Sequence, residues 1–338
     1  MKMKNLLYIG NKLSQHGLNK TTVETLGESL KEEGYEVVSV SSKKNFFFRV
    51  FDMVFTLLRN SNRTDYVLID TYSTKAFWYA WVISQLARIL KLKYIPILHG
   101  GNLPNRLQRN PFLCRLLFEN AWRNVAPSNY LKTIFEAKGF INTIHIPNTI
   151  SIENYEFKKR NLFQPKLLWV RAFATIYNPV MAVEVLFELQ KKYPNATLTM
   201  VGPDKDGSLQ EVQQKANDLG VSVHFTGQLS KETWWQLASE HDIFINTTHF
   251  DNTPVSVLEA MALGLAIVST NVGGLPFLLT DHENALLVND SDVFAMCQAI
   301  ENIVIHSDAA CSRTNAGRKL VETMDWNRVK EQWNLILR

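Results

Sequence analysis

Residues 251–279 read DNTPVSVLEAMALGLAIVSTNVGGLPFLL. Thr253 is placed to cap a helix, and Pro254 suits its first position, where no backbone N–H bond is needed. Residues 255–262 supply the helix, and Gly264 ends it. Residues 266–269 form a short apolar run that suits a buried parallel strand. Gly273 and Gly274 permit a close backbone approach to a ligand. The stretch thus sets a helix N-terminus beside a glycine turn, with carboxylates at Asp251 and Glu259. Free N–H groups and the helix dipole favour an anion there. A carboxylate inside the helix can accept hydrogen bonds from sugar hydroxyls. Together these features suit a nucleotide diphosphate that carries a sugar.

The pattern around this stretch repeats one theme. Upstream, strands are expected at 167–170, 197–201, 221–225 and 243–246, and downstream at 285–288. Helices are expected between them at 180–193, 209–219, 232–240 and 292–306. The segment 150–164 is polar and irregular and reads as a linker. Before it lies a second alternating set, with strands at 6–9, 37–40, 66–70, 94–98, 124–126 and 143–146. Two such sets imply an α/β protein of two Rossmann-like domains facing across a cleft. The expected division is 1–158, 159–320, and a last helix in 321–338 that packs back on the first domain. The first loop, GNKLSQHGLNKT (10–21), has glycines only at Gly10 and Gly17. It lacks the G-x-G-x-x-G fingerprint, which argues against a dinucleotide dehydrogenase.

Two segments of the first half carry further signals. His99 ends the fourth strand and is followed by Gly100 and Gly101, where α/β folds bind ligands. The segment 103–111 is polar and reads as a loop, with Asn102, Arg106 and Arg109 as acceptor-side candidates. The stretch SSKKNFFFRVFDMVFTLLRNSNR (41–63) places Phe47, Phe48, Phe51, Val54, Phe55 and Leu58 on a helical stripe among basic residues. The expected reading is a helix packed on the sheet. The other is an interfacial helix meeting anionic lipid or a lipid-linked acceptor.

Composition excludes several classes. In 338 residues, 36 basic and 32 acidic side chains give a net charge of +4, too mild a bias for a nucleic-acid partner. Three cysteines with no Cys-x-x-Cys pair argue against a disulfide framework or zinc site and fit a reducing compartment. The N-terminus lacks the apolar core of a signal peptide, and no apolar run reaches bilayer length. The expected location is cytoplasmic, with peripheral contact at the inner face of the membrane as an option.

The blocks IPNTI (146–150), MVGPDKDG (200–207), VHFTGQLS (223–230) and 251–288 resemble, in order and spacing, a GT4-type glycosyltransferase of the GT-B fold. The resemblance implies transfer of a hexose-like sugar from a nucleotide diphosphosugar to a glycan or lipid-linked acceptor. It implies retention at the anomeric carbon, a place in surface polysaccharide biosynthesis, and no metal or other cofactor. The family's two glutamates, separated by seven residues, correspond in spacing to Asp251 and Glu259, with the shorter Asp at the first position. Glu259 is expected to hold the ribose and Asp251 to lie near the donor sugar. Arg171 is expected to clamp the diphosphate, although the family's accompanying lysine is replaced near Tyr177 and Asn178. Thr253, Pro254, Val255, Gly273 and Gly274 fall in the diphosphate loop. Gly227, Gln228 and Leu229 fall in the turn near the nucleobase. Gly17 is expected to approach the diphosphate, and His99 to face the donor sugar. The same scaffold also suits a nucleotide-sugar epimerase or hydrolase, or a non-catalytic binding protein.

Overall fold

The computed structural model describes residues 4–16, 21–100 and 102–338. The chain forms two compact units. One comprises residues up to Pro147 together with Val329–Arg338, and the other comprises Asn148–Arg328. Each is built on a six-stranded parallel sheet flanked by helices, which is the GT-B architecture.

The first unit's strands are β1 (Asn5–Ile9), β2 (Glu36–Val40), β3 (Tyr66–Thr71), β4 (Lys93–Leu98), β5 (Asn124–Ala126) and β6 (Thr143–His145), in spatial order β2-β1-β3-β4-β5-β6. Its helices are α1 (Thr22–Glu32), α2 (Phe46–Asn60), α3 (Ala76–Ile89), α4 (Leu103–Arg109), α5 (Pro111–Phe118) and α6 (Asn129–Ala137). The second unit's strands are β7 (Lys166–Val170), β8 (Thr197–Val201), β9 (His224–Gly227), β10 (Ile243–Asn246), β11 (Ala266–Thr270) and β12 (Leu286–Val288). Their order, β9-β8-β7-β10-β11-β12, is the doubly wound Rossmann order. Helices α7 (Pro179–Gln190), α8 (Ser208–Leu219), α9 (Lys231–Ala238), α10 (Val255–Ala262), α11 (Leu275–Leu278), α12 (Val293–Ile305) and α13 (Ser307–Glu322) follow, then α14 (Trp326–Ile336).

Helices cover both faces of each sheet, so the central strands are apolar throughout rather than alternating. All six residues of β3 and all five of β11 are buried. Each sheet order reverses between two strands, β1 and β3 in the first unit and β7 and β10 in the second. The carboxyl ends of strands beside such a reversal form the crevice in which this architecture binds ligands.

Several expectations are corrected here. The segment expected as a polar loop at 103–111 is helical, because Pro104 stands in the first turn of α4 and Pro111 starts α5. The expected linker at 150–164 belongs to the core of the second unit. Ile150 and Tyr155 are buried there, and the Ile150 N–H donates to the Met324 carbonyl at 3.2 Å. The chain therefore leaves the first unit at Pro147 rather than near 158. In α2, the buried side chains are Met53 and Leu57, not the aromatic stripe. No described helix is long and apolar enough to cross a membrane.

Candidate functional site

The second unit's sheet reversal is flanked by the ends of β7 and β10. Arg171 follows β7 directly, and the chain beyond β10 runs through Thr247 and Thr248 to Asp251. Arg171 Nη2 pairs with Asp251 Oδ2, and both side chains are largely shielded, with 17% and 16% exposure. The guanidinium lies over the Tyr177 ring, 4.5 Å from its centroid. Burial pulls the Arg171 pKa below its ordinary value, against the opposing field of Tyr177. An arginine nevertheless stays charged at neutral pH. Tyr177, which stands near the place of the family lysine, thus forms a floor beneath the arginine. Arg171 Nε is buried without a hydrogen-bond partner.

Helix α10 begins beside this pair. Pro254, not Thr253, is its N-cap, with extended backbone at φ −68° and ψ 117° and no side-chain cap. Thr253 therefore does not cap the helix, and its Oγ1 is buried with no partner, as is Ser256 Oγ. The first N–H groups of a helix have no intrahelical acceptor. The start of α10 thus gathers unengaged backbone donors, two idle hydroxyls and a positive dipole end. Val255, its first residue, is 43% exposed.

One turn further along, Glu259 is buried at 4% exposure. Its Oε1 accepts from the Tyr155 hydroxyl at 2.9 Å and from Lys231 Nζ at 2.8 Å. Burial, then the neighbouring Glu259 charge, push the Tyr155 pKa up, so the phenol keeps its proton and donates. Tyr155 also lies against Trp235, with ring centroids 4.4 Å apart. Lys231 opens α9, just after Gly227, Gln228 and Leu229. Gly227 has φ +70°, and its carbonyl accepts from the Gly202 N–H at 2.9 Å.

The glycine turn closes on the protein itself. A Cβ on Gly273 would lie 2.2 Å from the Asp251 carbonyl oxygen, and one on Gly274 would lie 2.1 Å from that of Asn252. The Gly274 N–H donates to the Asp251 carbonyl at 2.8 Å. These glycines let two loops of the protein itself close on each other, and in doing so fix Asp251 beside α10.

In the first unit, the buried Asp70 organises the sheet reversal. Its Oδ1 accepts from the Tyr8 hydroxyl at 3.0 Å and stands 2.8 Å from His99 Nε2. A Cβ on Gly10 would lie 2.5 Å from Asp70 Oδ2, so this glycine makes room for the carboxylate. His99 stacks on Tyr72 with ring centroids 5.0 Å apart. Arg106, expected on the acceptor side, is engaged within the protein. It donates to the Ser73 carbonyl and to Asn110 Oδ1 at 2.9 Å, and covers the Phe77 ring. Asn102 and Arg109 are exposed at the two ends of α4. Gly17 lies outside the described residues.

Among the described residues, no group of three or more His, Cys, Asp or Glu side chains is placed to hold a metal. Asp204-Lys205-Asp206 and Asp290-Ser291-Asp292 spell Asp-x-Asp, but their carboxylates serve local structure. Asp204 accepts from the Gly207 N–H, Asp292 caps α12, and Asp290 pairs with His249. Asp206 accepts from Ser208 and from the Thr175 N–H, which holds its pKa down at about 2.

Residues 164–306 match the family model described as "Glycosyl transferases group 1". The matched stretch lies within the second unit. An uncharacterized glycosyltransferase of Haemophilus influenzae is 25% identical over 210 residues, covering 61% of this chain and 58% of that protein. A D-inositol 3-phosphate glycosyltransferase of Mycobacteroides abscessus is 28% identical over 149 residues, or 43% of this chain and 34% of that protein. The chain thus spans little more than half, or less, of the curated relatives it matches. The crystal structure of Anabaena HepE in complex with UDP-glucose superposes with a TM-score of 0.80 at 16% identity. It covers 98% of this chain and 99% of that one.

Two residues of the second unit escape sequence reasoning. Tyr155 holds Glu259 from a segment expected to be linker. Arg160, from the same segment, is buried at 5% exposure. It donates to the carbonyls of Lys158, Ala238, His241, Leu263 and Gly264 and pairs with Asp242. That one guanidinium ties the ends of α9 and α10 together. A buried arginine in a polar stretch has no local signature, since all its partners but the Lys158 carbonyl lie about 80 to 100 residues away.

Proposed function

We propose that the protein transfers a sugar from a nucleotide diphosphosugar to a glycan or lipid-linked acceptor, with retention, as a GT4-type enzyme of surface polysaccharide assembly in the cytoplasm. The observation that carries this reading is the start of α10. There Arg171 Nε, Thr253 Oγ1, Ser256 Oγ and the helix N-terminus are idle donors beside a buried carboxylate. The diphosphate would take the donors, and Glu259 would take the ribose hydroxyls, displacing or sharing Lys231. Negative charge grows on the leaving diphosphate in the transition state. Fixed dipoles and Arg171 would hold it more strongly there than in the ground state. As the C1–O bond to the phosphate breaks, the acceptor oxygen would bond to C1 on the same face. Its proton would pass to the departing phosphate, which needs no separate base and no metal. Asp251 would orient Arg171, and Gly227, Gln228 and Leu229 would border the base. In the first unit, His99, held by Asp70, would serve the sugar, and Asn102 and Arg109 would serve the acceptor.

The test is a thermal-shift screen against nucleoside diphosphates and their sugars, followed by turnover with the ligand that binds. A ligand at 100 times its dissociation constant should stabilise the protein by about 2.7 kcal/mol. Glu259→Ala should abolish most of that shift and lower donor turnover by at least about tenfold, the effect of about 1.4 kcal/mol. Unchanged binding and turnover in a folded E259A protein would sink the assignment.

A further inference from the structure

Helix α2 has two apolar faces, and the fold uses only one. At about 100° per residue, Phe46, Val50, Met53 and Leu57 fall within an arc of about 60°. Met53 and Leu57 are fully buried in the first unit's core, with Phe46 and Val50 packed against it. Phe47, Phe48, Phe51, Phe55 and Leu58 fall within another arc of about 100°, turned well away from the first. Phe47, Phe48 and Phe51 are 80%, 69% and 71% exposed, and Phe55 and Leu58 are about half exposed. The Phe51 and Phe55 rings stack on each other in the open, 6.5 Å apart. A contiguous apolar face of this kind on a soluble unit marks a surface made to be covered.

The charges around the face say what covers it. Lys43 and Lys44 stand exposed before the helix, and Arg59 and Arg63 stand exposed at its far end. Arg49 fixes the first pair by donating to the carbonyls of both lysines at 2.8 Å. The carboxylate of Asp52 is engaged by Ser41 Oγ. Between the two lysines, Asn45, Asp52 and the rings of Phe48, Phe51 and Phe55 lies a niche of about 360 Å³. Cations beside an apolar niche match an anionic head group joined to an acyl chain. A second copy of the chain would set cations against cations at the rim of the same face.

We infer that α2 lies in the surface of an anionic lipid bilayer, with Phe47, Phe48, Phe51, Phe55 and Leu58 inserted and Lys43, Lys44, Arg59 and Arg63 on lipid phosphates. Buried apolar side chains supply the depth of insertion, and the cations supply selection for negative lipid. The inference concerns the first unit and needs no sugar transfer, so its failure would leave the donor-site reading untouched.

The experiment is flotation of the full chain with vesicles of phosphatidylcholine alone, and of phosphatidylcholine with phosphatidylglycerol as one-third of the lipid. The chain should float with the anionic vesicles, and increasingly less so as salt is raised. Lys43→Gln with Lys44→Gln should lower partitioning by about 25-fold, from about a fivefold effect for each cation. Phe51→Ser with Phe55→Ser should lower it by at least about tenfold without moving the thermal midpoint, since both rings are exposed. Failure to float with anionic vesicles would overturn the inference, as would equal partitioning of the wild type and both variants. So would a dimer in velocity sedimentation that Phe51→Ser with Phe55→Ser abolishes, because that result would give the face to a second copy.

Discussion

Glu259 and Arg160 are both buried charges of the second unit, and their surroundings assign them opposite kinds of work. Glu259 Oε1 is held by Tyr155 and Lys231, and Lys231 is itself 60% exposed on its side chain. That cation can leave for solvent, so the carboxylate is able to exchange partners. Arg160 has nothing to exchange: five backbone carbonyls and Asp242 surround its guanidinium, and its side chain is 2% exposed. Removing one partner of such a buried charged group typically costs about 3–5 kcal/mol, because the others stay desolvated and unpaired. Arg160→Met should therefore lower the unfolding free energy by about that amount in urea. Donor affinity of the fraction that remains folded should be unchanged. A midpoint equal to wild type would show that water replaces the guanidinium at no cost. The spacing of Asp251 and Glu259 was legible because both sit in one continuous motif. Tyr155 and Arg160 were not, since all their side-chain partners but the Lys158 carbonyl lie between 78 and 104 residues away and nothing local announces a buried polar group in a polar stretch.

Helix α10 and the turn at Gly273-Gly274 were legible as elements, since an apolar helix, a glycine stop and an apolar strand follow within some twenty residues. What the turn does became visible only with its neighbours in place. Its glycines touch the carbonyl oxygens of Asp251 and Asn252, which no spacing rule reports. Gly274→Ala must push the 251–252 loop away, carrying Asp251 off Arg171 and loosening the start of α10. The predicted result is a lower thermal midpoint without any ligand, by more than about 1 kcal/mol of stability. If the glycine served only the approach of a phosphate, the ligand-free midpoint would stay where it is and affinity alone would fall. Helices α2 and α4 show the limits of pattern reading. In α4, prolines and polar residues mimic a loop, although proline is at home in a helix's first turn. In α2, apolar residues occupy two arcs at once, and periodicity cannot tell which arc the sheet takes. Burial of Met53 and Leu57 decides it.

The alternation of strands and helices over the whole chain was legible twice over, because parallel strands covered on both faces read as short unbroken apolar runs. The order of strands was not, since nothing local distinguishes the β2-β1-β3 start of one sheet from the β9-β8-β7 start of the other. Nor was the path of the chain between units, which crosses at Pro147 and returns at Val329. The returning segment completes the first unit. Val329, Trp333, Ile336 and Leu337 are buried, and the Tyr35 hydroxyl donates to Asn334 Oδ1 at 2.9 Å. The Trp122 Nε1–H donates to the Ile336 carbonyl at 3.1 Å, and the Tyr66 hydroxyl donates to the Arg338 carbonyl at 2.7 Å. The last ten residues are thus part of a core formed almost entirely by the first 147. Trp333→Ala removes the largest of these side chains, at a cost of about 3–5 kcal/mol for a buried tryptophan. In a unit of this size that loss corresponds to about 6–20 °C in midpoint. Scanning calorimetry should show the shift in the first unit's transition, while the nucleoside diphosphate binding proposed for the second unit persists at temperatures above it. If the thermogram of W333A matched the wild type, the terminal helix would contribute nothing to the first core. If ligand binding were lost together with the first transition, the two units would unfold as one.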